Sequence, residues 1–497
     1  MSSMLTSLTA NSFRYLAAAV LILILALFLR IAPLPAESVD GDEMFSRRVA
    51  LAGPAEAWTM VRKDLVHPPL YYFLLKATMP GGADSTANGI RALSLAAGVA
   101  TIAAIILLGF AESALRLPGL LAALLLALNK THIYYSQQAR SYALYCLLVT
   151  LLLLWSALAR RYRGKSWFWI GGFLLMAAII WTHYVGALFC AMCVVPMAFP
   201  VGAVSPGARA RILPLACLAL AGLSFLPWLI PEISVYRHKA GLSTNLEWQG
   251  LPALYDLKMV YAEFAGIPDF LGSTTVSLLL VASLIGCALF LRPDPQASVD
   301  QSTISTFALT AMAPPAVLWL LTRWPFHLPI FGVRHLLPAF VPALVMIGLG
   351  LSKLASRAKD AIGPGLLFAP GAAFLCAFQI APVCRTWPGP VRQPYSQIAA
   401  DLQRPGLDLP VYTTWPYGIG ASVQFYLPAG RKIRRLEVSG PAPDLLPRLI
   451  VLYRPAVPRE SEMIRIICRD YEVISQKYYY GAISAKFGTR LLVLAKP

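Results

Sequence analysis

Residues 15–32 read Y-L-A-A-A-V-L-I-L-I-L-A-L-F-L-R-I-A, and residues 38–48 read S-V-D-G-D-E-M-F-S-R-R. The first run approaches the roughly 20 apolar residues that a helix needs to cross a bilayer. It lacks a small-residue cleavage site, so it reads as a signal anchor and not as a removed leader. The second run sets Asp40, Asp42 and Glu43 in one polar loop just past the span. Acidic groups inside hydrocarbon are costly, but just outside it they stay ionised and can face the bilayer surface. This junction predicts a membrane chain whose chemistry lies at the ends of its helices.

Composition points the same way. Of 497 residues, 58% are hydrophobic and only 13% are charged. That balance excludes an ordinary soluble domain and suits a polytopic membrane protein. The formal net charge is +18, a value that elsewhere suggests nucleic acid. Here the Lys and Arg flank apolar runs, so they read as topology signals, and no nucleic-acid partner is expected. Apolar runs fall at about 15–32, 92–111, 117–129, 139–158, 167–182, 185–201, 212–230, 273–292, 303–322, 335–352 and 362–382. The fold class expected is a polytopic α-helical membrane protein with about eleven transmembrane helices.

Orientation follows from the cations in short loops. Arg14, Arg116, Arg160, Arg161, Arg163, Lys165, Arg209, Arg211, Arg292, Lys353, Arg357 and Lys359 fall on one side, which is then cytoplasmic. The opposite side carries the long loops 33–90 and 231–272 and everything after 383. The N-terminus is expected inside, and the acidic loop and the polar tail outside. Two domains follow: 1–383 as the transmembrane domain and 384–497 as a small extracytoplasmic α/β domain. In the tail, Val411–Thr414, Leu449–Tyr453 and Arg490–Leu494 read as short buried strands, and Ser396–Leu402 as a helix turn. Most cysteines sit in apolar runs without metal spacing; Cys384 and Cys468 in the tail are candidates for a disulfide.

Five outward segments carry candidate chemistry. Asp40, Asp42 and Glu43 suit a general base or a divalent-cation ligand, and equally the acidic first turn of a helix. His67-Pro68-Pro69-Leu70-Tyr71-Tyr72 gives an extended entry into an amphipathic stretch. That stretch suits an interfacial helix anchored by tyrosines, and His67 suits a phosphate contact. The segment Tyr134 to Tyr142 contains Gln138 and then Arg140, which opens an apolar helix on the outer side. An outward Arg there runs against the topology bias and favours pairing with a phosphate. His183-Tyr184 separates two spans, and Arg334-His335 begins another with the same topological anomaly. Asp40, Tyr71, Gln138, Tyr142, His183, Tyr184 and His335 are read as lining a substrate cavity.

In this order, Asp42-Glu43, His67-Pro68-Pro69-Leu70, Ser136 to Tyr142 and Arg334 to Pro338 resemble the C-class membrane glycosyltransferases that use polyprenyl-phosphate sugars. Those relatives include aminoarabinose transferases, protein O-mannosyltransferases and bacterial lipopolysaccharide sugar transferases. The resemblance covers about 35–345 and implies a multi-pass enzyme of the bacterial plasma membrane. It implies that Asp42 is the catalytic acid-pair Asp and Glu43 its neighbour. His67 matches a Lys of the aminoarabinose transferases near the lipid phosphate, and Arg140 matches the third-motif Arg. Gln138 stands where many relatives carry an acidic residue, and His335 where a Tyr is usual. The implied mechanism is inverting single displacement, with Asp42 as base at an acceptor hydroxyl. Arg140, Arg334, His67 and Lys63 are the expected stabilisers of the departing phosphate, or a divalent metal held partly by Glu43 and His183. The acceptor is a glycan, a lipid or a protein. A transporter or a non-catalytic envelope-assembly subunit is the alternative, although the inverted repeats and mid-span charges of a transporter are missing.

Overall fold

The computed structural model describes residues 2–34, 38–79, 82, 85–200, 207–238, 251–265, 274–290, 299, 301–324, 330–357, 364–386, 394–414, 416–428, 430–436, 447–455, 458–479 and 489–496. Much of 231–272, expected as an outer loop, and the side chain of Cys384 with its expected disulfide, lie outside the described residues.

The first helices in chain order are α1 (Ser2–Ile31), α2 (Gly41–Leu51), α3 (Pro54–Asp64), α4 (Leu70–Thr78), α5 (Ala87–Ala111), α6 (Arg116–Leu128) and α7 (Lys130–Ser136). They continue as α8 (Tyr142–Tyr162), α9 (Ser166–Thr182), α10 (Gly186–Ala198), α11 (Ala208–His238), α12 (Leu254–Ala265), α13 (Thr274–Phe290) and α14 (Gln301–Arg323). Then follow α15 (Val333–Arg357, its first turns short and tight), α16 (Pro364–Thr386), α17 (Tyr395–Leu402), α18 (Ala421–Gln424) and α19 (Pro458–Ile467). Each of the eleven apolar runs is mainly helical over its described residues. Among the described residues six helices are long and apolar enough to cross a membrane, or seven if a bent pair counts as one span. The chain is therefore a multi-pass helical membrane protein.

The chain divides into two compact units. The first comprises Met1–Ile31, Gly53–Thr78 and Arg91–Cys384; the second comprises Ala32–Ala52, Met79–Ile90 and Arg385–Pro497. Segments on either side of α3 and α4 thus belong with the tail.

In the first unit α15 is the centre, with 89% of its apolar window buried, against 28% for α1 and α11 at the periphery. α6, α13 and α14 pack on it. Gly350 lets the α13 backbone approach: a Cβ there would collide with the Leu284 carbonyl. α6 and α7 meet at a 67° bend. Asn129 makes the bend by capping α7, its Oδ1 accepting from His132 N–H at 2.9 Å. Two carbonyls at the end of α6 also accept from Arg30 at the end of α1, which donates to Ala127 O (3.2 Å) and Leu126 O (3.4 Å). Arg30 also reaches His132 Nδ1 at 2.7 Å and Ser136 Oγ at 3.2 Å, while Gln137 donates back to its carbonyl at 2.9 Å. A fully buried guanidinium is tolerated here because it makes bonds on every side.

In the second unit, strands β1 (Val411–Thr413), β2 (Ile433–Arg435), β3 (Arg448–Tyr453), β4 (Glu472–Tyr479) and β5 (Thr489–Ala495) form one sheet in the order β2-β1-β3-β5-β4. β1 is parallel to β2 and β3, while β5 is antiparallel to β3 and β4. Both faces of the central strands are covered. Ile450, Leu452, Leu491 and Val493 pack with Ile398 and Leu402 of α17. Leu449, Val451, Leu492 and Leu494 pack with Ile464 and Ile467 of α19. Burial on both sides is why β3 and β5 read as unbroken apolar runs.

Candidate active site

The acidic loop folds as the start of α2. Asp40 is the N-cap: its Oδ1 accepts from Glu43 N–H at 2.8 Å, and Glu43 Oε2 accepts from Asp40 N–H at 3.1 Å. This reciprocal pair is a capping box, and it satisfies two donors that a helix start leaves open. Glu43 is buried and Asp42 is exposed on the same turn. One turn further, Met44 and Arg47 line an open cavity of about 580 Å³ with Ser85, Thr86, Ala421, Gln424 and Phe425. The Arg47 guanidinium lies over the Phe425 ring, 5.5 Å from its centroid. Ser85 is buried and its hydroxyl has no partner among the described residues. All of these residues belong to the second unit.

The first unit gathers the other candidates. His67 follows α3, whose end turns on Leu65 in the left-handed region at φ 61°, and Pro68-Pro69 then lead into α4. Its Nε2 meets Tyr142 OH at 3.3 Å, its Nδ1 is buried with no hydrogen-bond partner among the described residues, and its ring lies 5.0 Å from that of His183. His183 sits between α9 and α10, stacked on Tyr145 at 4.6 Å and 9°. Its Nδ1 accepts from Val185 N–H at 3.2 Å and its Nε2 faces His335 Nδ1 at 2.9 Å. His335, in the first turn of α15, faces Arg334 Nε–H through its own Nε2 at 3.2 Å. Arg140, buried in the bend between α7 and α8, donates to Tyr72 OH at 3.4 Å. Its carbonyl accepts from Ser94 Oγ at 3.1 Å, and Ser94 in turn pairs with Tyr71 OH at 2.8 Å. The adjacent tyrosines of α4 thus hold the backbone and the side chain of one arginine.

Burial lowers the His67 pKa well below its ordinary 6.5, and Arg140, His183, His335 and Arg334 lower it further. Burial also brings His183 down to about 3, assisted by Arg334 and Arg140. Both imidazoles are therefore neutral at physiological pH, each with one donor and one acceptor nitrogen. Two guanidiniums among neutral imidazoles make an environment suited to an anion.

The remaining candidates are placed as follows. Gln138 donates to Tyr134 OH at 2.9 Å. Tyr184 OH accepts from Trp228 Nε1 at 3.1 Å. Lys63 is exposed on the last turn of α3, where its neighbour Arg62 pairs with Glu232 at 3.4 Å. Tyr72, Tyr145 and Arg30 were not singled out from the sequence. Tyr72 offers as much signal as Tyr71, whereas Tyr145 and Arg30 lie inside apolar runs that look purely structural. No group of three or more His, Cys, Asp or Glu suited to a metal ion occurs among the described residues. Glu43 serves the capping box, and both nitrogens of His183 are engaged beside two cations. The donor set therefore does not fit a divalent cation.

Neither a family model nor a curated protein matches the sequence. Solved structures do. ArnT from Cupriavidus metallidurans, an aminoarabinose transferase, superposes with TM-score 0.54 at 11% identity, over 98% of each chain. The Archaeoglobus fulgidus oligosaccharyltransferase, crystallised with zinc and sulfate, superposes with TM-score 0.54 at 12% identity, over 93% of this chain and 72% of the other. Both are C-class glycosyltransferases. The chain shares their fold, which is the fold that its sequence motifs resemble.

Proposed function

We propose that this protein is an integral-membrane glycosyltransferase that moves a sugar from a polyprenyl-phosphate donor to an acceptor hydroxyl outside the cytoplasm. The observation that carries the reading is the meeting of Arg140 and the half-buried Arg334 with the buried His67, His183 and His335 in one cluster. The shared fold supports it. All eleven apolar helices are spans of a bacterial plasma-membrane protein, with the N-terminus cytoplasmic and the tail domain, 384–497, outside.

The chemistry follows from charge. A polyprenyl-phosphate sugar is a phosphodiester with one negative charge. When the bond between anomeric carbon and phosphate oxygen breaks, the electron pair stays on phosphate and the charge approaches two. Guanidiniums and imidazole N–H groups aimed at that oxygen stabilise the transition state more than the ground state. The leaving group needs no general acid, in contrast to the paired carboxylates of glycosidases. Asp42 takes the acceptor hydroxyl proton as that oxygen attacks the anomeric carbon, and the configuration inverts. Arg140, Arg334, His67 and Lys63 receive the phosphate; Tyr142 orients His67.

The test is release of free polyprenyl phosphate from a panel of polyprenyl-phosphate sugars, in membranes that supply native acceptors. Asp42→Asn is expected to cut release about a hundredfold or more, the scale of a lost general base. Equal release by wild type and variant removes Asp42 from the chemistry. No release with any donor returns weight to a transporter or an assembly subunit.

A further inference from the structure

Three successive residues at the entry to α2 are each tied down, and two of the ties come from the C-terminal part of the chain. Ser38 Oγ accepts from Ser396 N–H at 3.0 Å and pairs with Ser396 Oγ at 2.9 Å. Val39 N–H donates to Tyr426 OH at 2.8 Å. Asp40 then closes the capping box with Glu43. The tying residues lie 358 and 387 positions away in sequence, yet all belong to the second unit. Ser38 and Val39 are buried, and a buried amide must find an acceptor; the Tyr426 hydroxyl supplies it. Ser396 lies in the first turn of α17, where amides have no partner within the helix, so its N–H can go to Ser38. Tyr426 packs against the core formed by Ile398, Leu402 and the central strands, with its neighbours Val423 and Leu427 buried in that core.

These ties decide which residue caps α2. Ser38, Asp40 and Asp42 are all side chains that cap helices well. A cap at Ser38 would need its Oγ for the helix, and a cap at Asp42 would consume the carboxylate. Ser396 engages the Ser38 hydroxyl and Tyr426 engages the Val39 amide, so the cap falls on Asp40 and Asp42 stays exposed outside it. The same face senses both carboxylates: burial raises the Tyr395 pKa, and the charges of Asp40 and Asp42 raise it further.

We propose that Ser396 and Tyr426 are positioning residues for the acidic loop, fixing the cap at Asp40 and so presenting Asp42 to the acceptor hydroxyl. The proposal rests on the reading of Asp42 as base and gives the α/β tail a part in the reaction.

The experiment follows release of polyprenyl phosphate by the full chain, in membranes that supply native acceptors. Tyr426→Phe keeps the ring and deletes the acceptor oxygen; Ser38→Ala deletes both bonds to Ser396. Each should lower kcat about tenfold or more, the scale of a displaced reacting group, while KM for the donor moves less than about threefold. Ser38→Thr, which keeps the hydroxyl, should recover most of the rate. In an Asp42→Asn background Tyr426→Phe should cost less than about a further twofold, because a residue that acts through another is not additive with it. Hydrogen exchange gives a readout independent of activity: amides of 39–44 should exchange at least about tenfold faster in Tyr426→Phe. Should Tyr426→Phe fail to fold, the Ser38→Ala and Ser38→Thr pair decides. Wild-type kcat in the variants that fold, or a full additional loss in the Asp42→Asn background, overturns the positioning role and leaves Asp42 as base. Undiminished release by Asp42→Asn, or no release from any donor, overturns the base and the positioning role together.

Discussion

At the scale of single residues, three adjacent carboxyls take two different jobs. Asp40 and Glu43 satisfy each other's backbone N–H, and Asp42 is the exposed member of the turn. Asp40→Ala should therefore cost stability, about 0.5–2 kcal/mol for a lost N-cap, measured by the thermal midpoint in detergent. Glu43→Gln keeps an oxygen for the Asp40 N–H and should lower sugar transfer less than about tenfold, far less than Asp42→Asn. Equal losses in transfer would show Glu43 taking part in the chemistry itself. The acidic cluster was visible in the sequence, including its second reading as a helix start. Which carboxyl would be held in the cap was not, because S-V-D-G-D-E permits more than one N-cap and only the backbone at Asp40 decides. The partners of the histidine cluster were hidden: Tyr145 meets His183 across helices, at a distance in sequence that no local pattern reports.

At the scale of elements, the bend between α6 and α7 is the joint that delivers Ser136 to Arg140 into the interior. The bend exposes carbonyls, and Arg30 meets them from α1. Arg30→Leu removes those bonds, taking the arginine donor from the Ala127 carbonyl and from His132, while Leu126 O keeps the Asn129 N–H. It should lower stability by several kcal/mol, at about 1–3 kcal/mol for each orphaned buried group, read as a large fall in the thermal midpoint. A midpoint unchanged from wild type would mean that the bend stands without its arginine. Gly350→Ala probes the close approach of α13 and α15. A Cβ placed on the Leu284 carbonyl forces backbone movement, with an expected loss of about 1–3 kcal/mol in the same assay. In the tail, strands β1, β3 and β5 and helix α17 were legible because two-sided burial writes continuous apolar runs. Strands β2 and β4 were not: β2 is three residues long, and β4 is an edge strand exposed along nearly its whole length. Edge positions carry no hydrophobic pattern to read.

At the scale of the whole molecule, buried neutral histidines tie stability to pH. The unfolded chain binds a proton at each imidazole below about pH 6.5, while folded His183 stays neutral down to about 3. Between those values the unfolded state holds more protons, so stability rises with pH and is lost as pH falls. The expected slope is about 1.4 kcal/mol per pH unit from His183, with His67 adding in the same direction. Above about pH 7 these groups should contribute no slope. His183→Phe should flatten the acid limb of a midpoint-against-pH curve, and an unaltered limb would show that His183 is not buried neutral. The sequence by itself determined that this is a multi-pass helical chain with a polar α/β tail and with cations and acids at the ends of its helices. It could do so because a bilayer imposes length and polarity on every span, and those constraints are local. Only the tertiary structure decided that His67, His183 and His335 converge, that Tyr72 bonds the Arg140 side chain, and that segments 32–52 and 79–90 belong with the tail. Those outcomes depend on packing between helices far apart in the chain, where spacing along the sequence carries no information about distance in space.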